Sequence, residues 1–243
     1  MPSESVQVRQ TTPQDFAAIA DLCQRIYPET PPWRADQLAS HLRLFPEGQL
    51  VATLEGRLVG MCASLVVHWD DYDTLDDWER FTDDGMFTNH DRAHGHTLYG
   101  AEVIVDPTVQ HHGVGGALYV GRRAICERLG LRRIRGGGRL RGYHRYADTM
   151  DCTAYVDAVV QGRLTDDTLT FQLHEHFHVL AVVPHYLKDD PESLGWAAVI
   201  EWLNPVTIRP EHVRDRPTRH LHPLVAAAQP TTEPSRAEQL ARR

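Results

Sequence analysis

The sequence predicts one α/β domain: a central, mixed but mostly antiparallel sheet flanked by helices. Three observations predict it. Residues 49–54 and 57–67 carry apolar alternation on either side of Glu55-Gly56, the pattern of a hairpin. Residues 101–105 form an apolar run broken only by Glu102 and ended by Pro107, and apolar residues then recur at helical spacing from Val114 to Leu129. Residues 177–187 and 194–203 read as two closing strands around the polar stretch 188–192.

In chain order, Val6 and Val8 alternate with polar neighbours and predict a first short strand. Thr12 then stands as an N-cap with Pro13 at the first helical position and Asp15 in the first turn. Phe16, Ile19, Ala20, Cys23 and Ile26 continue that helix until Pro28 ends it. A second helix is expected from Trp33 to about Phe45, before the hairpin. After the glycine-rich helix, residues 131–134 read as a strand, and Gly136 to Gly138 are expected to let the backbone leave the sheet sharply. A further helix is expected over about 153–164.

Composition narrows the function. The 243 residues carry a net charge of -8, which argues against a nucleic-acid binder. No apolar run approaches the ~18–20 residues of a membrane span, and Met1-Pro2-Ser3-Glu4-Ser5 carries no expected signal peptide. Cys23, Cys62, Cys126 and Cys152 are far apart and form no C-x-x-C pair, the usage expected of reduced cysteines in the cytoplasm.

The most informative stretch is 99–118. A helix that opens on Gly113, Gly115 and Gly116 presents free N–H groups and its positive dipole end together, which suits an anion such as pyrophosphate. Lys188 is the one lysine, and no Gly-Lys-Ser/Thr occurs, so this is not a P-loop. The order Val105-Asp106-Pro107, then Gln110-His111-His112-Gly113-Val114-Gly115, resembles the signature of the GNAT family of acetyl-CoA-dependent N-acyltransferases. The resemblance implies the GNAT fold, with a sheet split near Val105 that takes acetyl-CoA as cosubstrate. It implies pyrophosphate on Gln110, His111, His112, Gly113, Val114, Gly115 and Gly116, and a pantetheine arm paired with Val103 and Val105. Glu102, the single ionisable residue inside that strand, is the candidate base for a primary amine acceptor; a structural Glu paired with an Arg is the competing reading.

Phe45-Pro46-Glu47-Gly48-Gln49, Asn89-His90-Asp91, Leu98-Tyr99-Gly100-Ala101-Glu102-Val103, Gly137-Gly138-Arg139-Leu140, Gly142-Tyr143-His144-Arg145-Tyr146-Ala147-Asp148 and Leu169-Thr170-Phe171-Gln172-Leu173 resemble a bacterial GNAT subgroup. In some of its members this domain precedes a nitrilase-like carbon–nitrogen hydrolase. The resemblance spans about residues 5–205, with insertions at about 68–96 and 139–166. The remainder, 206–243, is expected to be an extended, partly ordered tail that reaches a neighbouring copy, as in a homodimer.

Three features qualify this reading. Many GNAT enzymes place a tyrosine where this chain has Gln172, so Gln172 is expected at the cofactor, and Tyr146 or Tyr143 becomes the candidate acid. Residues 68–96 hold nine acids against Arg80 and Arg92, with Trp69, Tyr72, Trp78, Phe81 and Phe87 interleaved. That segment either covers the sheet or roofs the site and attracts a cationic amine. Finally, His174-Glu175-His176-Phe177-His178 matches H-E-x-x-H, which on a helix would make a zinc hydrolase; surface histidines are the plainer reading, and no metal is expected. A GNAT-like module that binds acyl-CoA without catalysis also stays open.

Overall fold

The computed structural model describes residues 5–213 except Thr74 and Asp189. Seven strands form one sheet in the order β1-β2-β3-β4-β5-β7-β6. They are β1 (Gln7–Gln10), β2 (Leu50–Leu54), β3 (Arg57–Val67), β4 (Thr97–Val105), β5 (Arg133–Arg139), β6 (His178–Val183) and β7 (Ala197–Leu203). Only the β4–β5 pair is parallel.

The helices are α1 (Phe16–Ile26), α2 (Ala35–Leu44), α3 (Trp78–Thr82), α4 (Val114–Arg128), α5 (Cys152–Val160) and α6 (Asp167–His174). The Thr12 start is as read: the Thr12 N–H donates to Asp15 Oδ2 at 2.8 Å, and a 3-10 turn at Pro13–Asp15 leads into α1. Helix α2 begins after Trp33, because Arg34 is still extended and its N–H donates to Gln37 Oε1. Glu55 and Gly56 both take positive φ, as a two-residue hairpin turn requires.

Two sequence expectations need correction. Gly136 to Gly138 do not leave the sheet; they run inside β5, opposite Ile200, Val199 and Ala198 of β7. Glycine is needed there for close approach: a Cβ on Gly136 would lie 2.8 Å from the Gly100 carbonyl oxygen, and Gly137 lies under the Tyr186 ring. The split also begins earlier than Val105. Strands β4 and β5 pair only from Thr97 to Tyr99 against Arg133 to Arg135, so the gap opens at Gly100 and Val105 stands far along it.

Each sheet face carries its own core. One side buries Leu118, Tyr119, Ile125, Tyr155 and Leu169 from α4, α5 and α6. The other buries Ile19, Leu22 and Leu38 from α1 and α2, together with Trp69, Phe81 and Phe87. Segment 68–96 therefore covers the sheet: Phe81 stacks between Trp69 and Tyr99, each with ring centroids 4.9 Å away. Its only residues at the larger cavity are Asp77, Trp78 and Glu79, while Asp91 and Asp73 cap their own turns. Segment 139–166 is tied down by buried Asp166, which accepts from the Gly142 N–H at 2.8 Å and the Tyr155 hydroxyl at 2.9 Å. Among the described residues no helix is long and apolar enough to cross a membrane. The expected tail lies outside the described residues from 214 onward.

Candidate active site

The site grows from the end of β4. Asp106 caps the turn Pro107–Val109, accepting from the Thr108 N–H at 2.9 Å and the Thr108 hydroxyl at 2.6 Å. Arg57 and Arg25 reach the same carboxylate at 2.8 and 3.2 Å. The Thr108 hydrogen bond, with the arginines behind it, lowers the Asp106 pKa to about 2. The exposed turn 110–113 follows, with His111 and Gly113 in the left-handed region at φ 65° and 77°. Gly113 is the cap of α4, and the first intrahelical bond runs from the Ala117 N–H to its carbonyl at 2.9 Å. The N–H groups of Val114, Gly115 and Gly116 precede that bond and lie at the positive end of the helix.

The three glycines have different jobs. A Cβ on Gly113 would meet nothing within 4 Å, so this position is open for a ligand. A Cβ on Gly115 would sit 2.8 Å from Phe171 Cζ, and one on Gly116 would sit 3.2 Å from Glu175 Oε1. Gly115 and Gly116 thus let Phe171 of α6 and the Glu175 that follows it pack on α4.

Between the splayed strands lies a cleft of about 110 Å³ lined by Glu102, Val103, Tyr119, Arg122, Arg139 and Gln172, among others. It adjoins a cavity of about 710 Å³ between the α1–α2 loop, α3 and the loop after β6. Tyr27, Ala101, Glu102, Gly137 and Arg139 line both. Glu102 therefore stands where the two spaces meet. Burial raises its pKa to about 7, against the opposing pull of the Val103 N–H, Arg122 and Arg139. The Val103 N–H donates to Glu102 Oε1 at 3.1 Å, so this donor faces the cleft.

The other expected residues divide. Gln172 is in the cleft, buried, and its Oε1 meets no hydrogen-bond donor among the described residues. Val103 lines the cleft, whereas Val105 lies farther along β4. Tyr146 and Tyr143 line neither cavity. Tyr146 packs on Tyr155 with centroids 5.3 Å apart, and the buried Tyr143 hydroxyl donates to the Met150 carbonyl. Segment 139–166 brings Arg139 and Arg141 to the cavities, but Tyr143 and Tyr146 pack with Tyr155 of α5 in the core instead.

The zinc reading loses its helix. Helix α6 ends at His174, Glu175 is spent on Arg123 at 3.0 Å, His176 turns with φ 66°, and His178 opens β6. Among the described residues no three metal-ligating side chains are grouped to hold an ion.

Sequence reading missed Tyr119 and Arg122. Both sit on the buried face of α4 with Val114, Leu118, Ile125 and Cys126. A polar pair on an apolar stripe was the available signal. It also missed Arg139, whose guanidinium lies 5.4 Å from the Tyr27 ring centroid and is held by Asp190 at 2.6 Å and Glu192 at 2.7 Å.

No family model matches the sequence. YkwB of Bacillus subtilis strain 168, named as an N-acetyltransferase, is 34% identical over 205 residues, which cover 83% of this chain and 90% of YkwB. YhcX of the same organism, named a probable hydrolase, is 39% identical over 197 residues; these are 81% of this chain but only 38% of YhcX. The GphF GNAT-like decarboxylase, solved in complex with isobutyryl-CoA, superposes with a TM-score of 0.69 at 22% identity, covering 82% of this chain and 99% of that one. With the strand, turn, glycine-capped helix and splayed cleft in place, and a relative matched over nearly its whole length, the chain belongs to the GNAT family of N-acetyltransferases.

Proposed function

We propose that this protein transfers an acetyl group from acetyl-CoA to a primary amine within a ternary complex, with no acyl-enzyme. The observation that carries the reading is Glu102. It is a carboxyl with a pKa near 7, standing where the cleft between the splayed strands meets a larger cavity with room for a second substrate. The pyrophosphate would rest on the N–H groups from His111 to Gly116, and the pantetheine arm would run beside Val103 and Val105 as an added strand does. The orphaned Gln172 Oε1 supplies a polar contact inside the cleft.

The amine enters through the larger cavity, and Glu102 removes a proton from it, directly or through a water. The nitrogen lone pair attacks the thioester carbonyl carbon. A backbone N–H of β4 steadies the developing oxyanion, and the Val103 N–H is placed for this once Glu102 turns toward the amine. Collapse breaks the C–S bond and releases the thiolate. Tyr27 and Tyr119 line the cleft and Tyr146 does not; the Tyr119 phenol is the one that meets Gln172, where related enzymes carry their tyrosine. Around the larger cavity Lys188 is paired with Glu79, Arg139 with Asp190 and Glu192, Arg141 with Glu192 and Arg34 with Asp36, while Glu29, Asp77 and Glu102 add further carboxyls to its lining. That balance favours a cationic acceptor. The four cysteines are free and buried, which fits a reducing, cytoplasmic setting.

The test is coenzyme A release with acetyl-CoA over a panel of polyamines, amino acids, aminoglycosides and peptide N-termini, with products identified by mass. Release that depends on one amine class, and that is lost in Glu102→Gln, supports the reading. Tight coenzyme A binding with no release across the panel would favour the non-catalytic module, for which the missing tyrosine at Gln172 speaks.

A further inference from the structure

Arg122 is a charged side chain on the apolar face of α4, only 3% exposed. A buried guanidinium is held by the oxygens around it, and here they are neutral. Its Nε donates to Ser64 Oγ at 3.0 Å, and its Nη2 donates to the Ala63 carbonyl at 3.1 Å and the Glu102 carbonyl at 2.6 Å. These three acceptors bracket one irregularity. The β3–β4 register shifts between Ala63 and Ser64: Ala63 faces Glu102, Ser64 faces Gly100, and Ala101 is the extra residue of a β-bulge.

Gly100 makes room for the brace, because a Cβ there would lie 2.7 Å from Arg122 Nη1. The bulge is pinned from the opposite side as well, where Trp78 Nε1 donates to the Ala101 carbonyl at 2.9 Å. A bulge re-aims the side chains beside it, and the ones beside this bulge are Glu102 and the Val103 N–H.

We propose that Arg122 is the positioning residue of the cleft: it clamps the β4 bulge from beneath and so fixes where the Glu102 carboxylate and the Val103 N–H stand. The proposal rests on the reading of Glu102 as base. The groups facing Glu102 are Arg122 from α4, Arg139 from β5, and Cys23 and Tyr27 from α1 and the loop after it. Burial and the Glu102 charge both push that thiol and that phenol upward, so the two arginines are the charges that oppose burial at Glu102.

The experiment uses the full chain with Arg122→Met, Arg122→Lys and Gly100→Ala. Each variant is read for melting temperature, coenzyme A affinity by calorimetry, turnover with the best amine of the panel, and the Glu102 carboxyl titration by infrared difference against the same variant carrying Glu102→Gln. Arg122→Met should raise the Glu102 midpoint by about one unit. It should lower kcat about 10- to 100-fold at unchanged coenzyme A affinity. Arg122→Lys keeps the charge but not the fork, so its midpoint should stay near that of the wild type while kcat still falls. Gly100→Ala pushes on the guanidinium without removing it and should lower kcat in the same way. Should Arg122→Met not fold, the other two variants carry the test. An unmoved midpoint in Arg122→Met, or kcat losses that merely follow coenzyme A affinity and folded fraction, would overturn the proposal. Full activity in Glu102→Gln would instead remove Glu102 as base, while the infrared midpoint still reports on the brace.

Discussion

Replacing Glu102 with Gln should make the fold more stable at neutral pH while removing most of its activity. The stability effect follows from the raised pKa. In the folded chain the carboxyl titrates at about 7, against an ordinary 4.5, because burial disfavours its charged form. The native state therefore holds its proton over a range where the unfolded chain releases it. Stability is greatest below 4.5, declines as pH rises from there to about 7, and is flat above. The rise from 4.5 to about 7 corresponds to about 3 kcal/mol, an upper figure because Glu102 keeps some contact with solvent. Gln is neutral throughout and does not share the decline. Urea melts of both proteins should agree near pH 4.5 and diverge until the variant is more stable at pH 8 by up to about 3 kcal/mol. The other carboxylates titrate alike in both and cancel in the difference. A difference that is the same at pH 5 and pH 8 would refute the argument, as would a wild type more stable than Glu102→Gln at pH 8. On the kinetic side kcat/KM should rise with pH through about 7, and Glu102→Gln should lose about 100-fold or more in turnover while binding coenzyme A as before.

Gly113→Asp places a negative charge in the open space at the α4 cap and should weaken coenzyme A binding beyond detection by calorimetry, whereas Gly113→Ala should cost only about 1 kcal/mol of stability from its positive φ. Unchanged affinity in Gly113→Asp would move the pyrophosphate elsewhere. Asp106→Asn should destabilise the chain by about 2 kcal/mol at pH 7, from a pKa lowered from 3.8 to about 2. That contribution is present above 3.8 and lost as pH falls through about 2, so guanidinium melts should converge in acid, and a pH-independent gap would count against it. Gly137→Ala drives a methyl into the Tyr186 ring and should cost about 2 kcal/mol or more in the same melts. His174→Ala should keep its full transfer rate, and elemental analysis should find no stoichiometric zinc; a metal-dependent loss of rate would revive the hydrolase reading.

The parts of the fold legible in the sequence are those whose pattern is local. The hairpin across Glu55-Gly56 and the Thr12-Pro13 helix start are written in a few adjacent residues, and both stand where expected. Gly136 to Gly138 show the limit. A glycine triplet reads as a turn by local chemistry, yet here each glycine answers to a distant neighbour: the Gly100 carbonyl, the Tyr186 ring and the Gln172 amide. Nothing within ten residues of the triplet announces those partners. The same holds for Gly115, whose missing Cβ makes room for Phe171 on another helix.

The candidate site divides along the same line. Glu102 was legible because a single carboxylate interrupts an apolar run, and the turn from Gln110 to Gly116 because its motif is contiguous. Tyr146 lies at neither cavity because its donor-rich loop folds against Tyr155, a contact between residues nine apart that the loop's composition does not announce. Tyr119 and Arg122 were passed over because helix α4 was read for its apolar period, and a polar residue on that period looks like an interruption. In the structure that interruption is informative. An arginine tolerated on a buried stripe must find oxygens, and the oxygens it finds belong to the one place where β4 is irregular. The misfit on the helix and the misfit in the strand are therefore one feature, and Glu102 stands beside it.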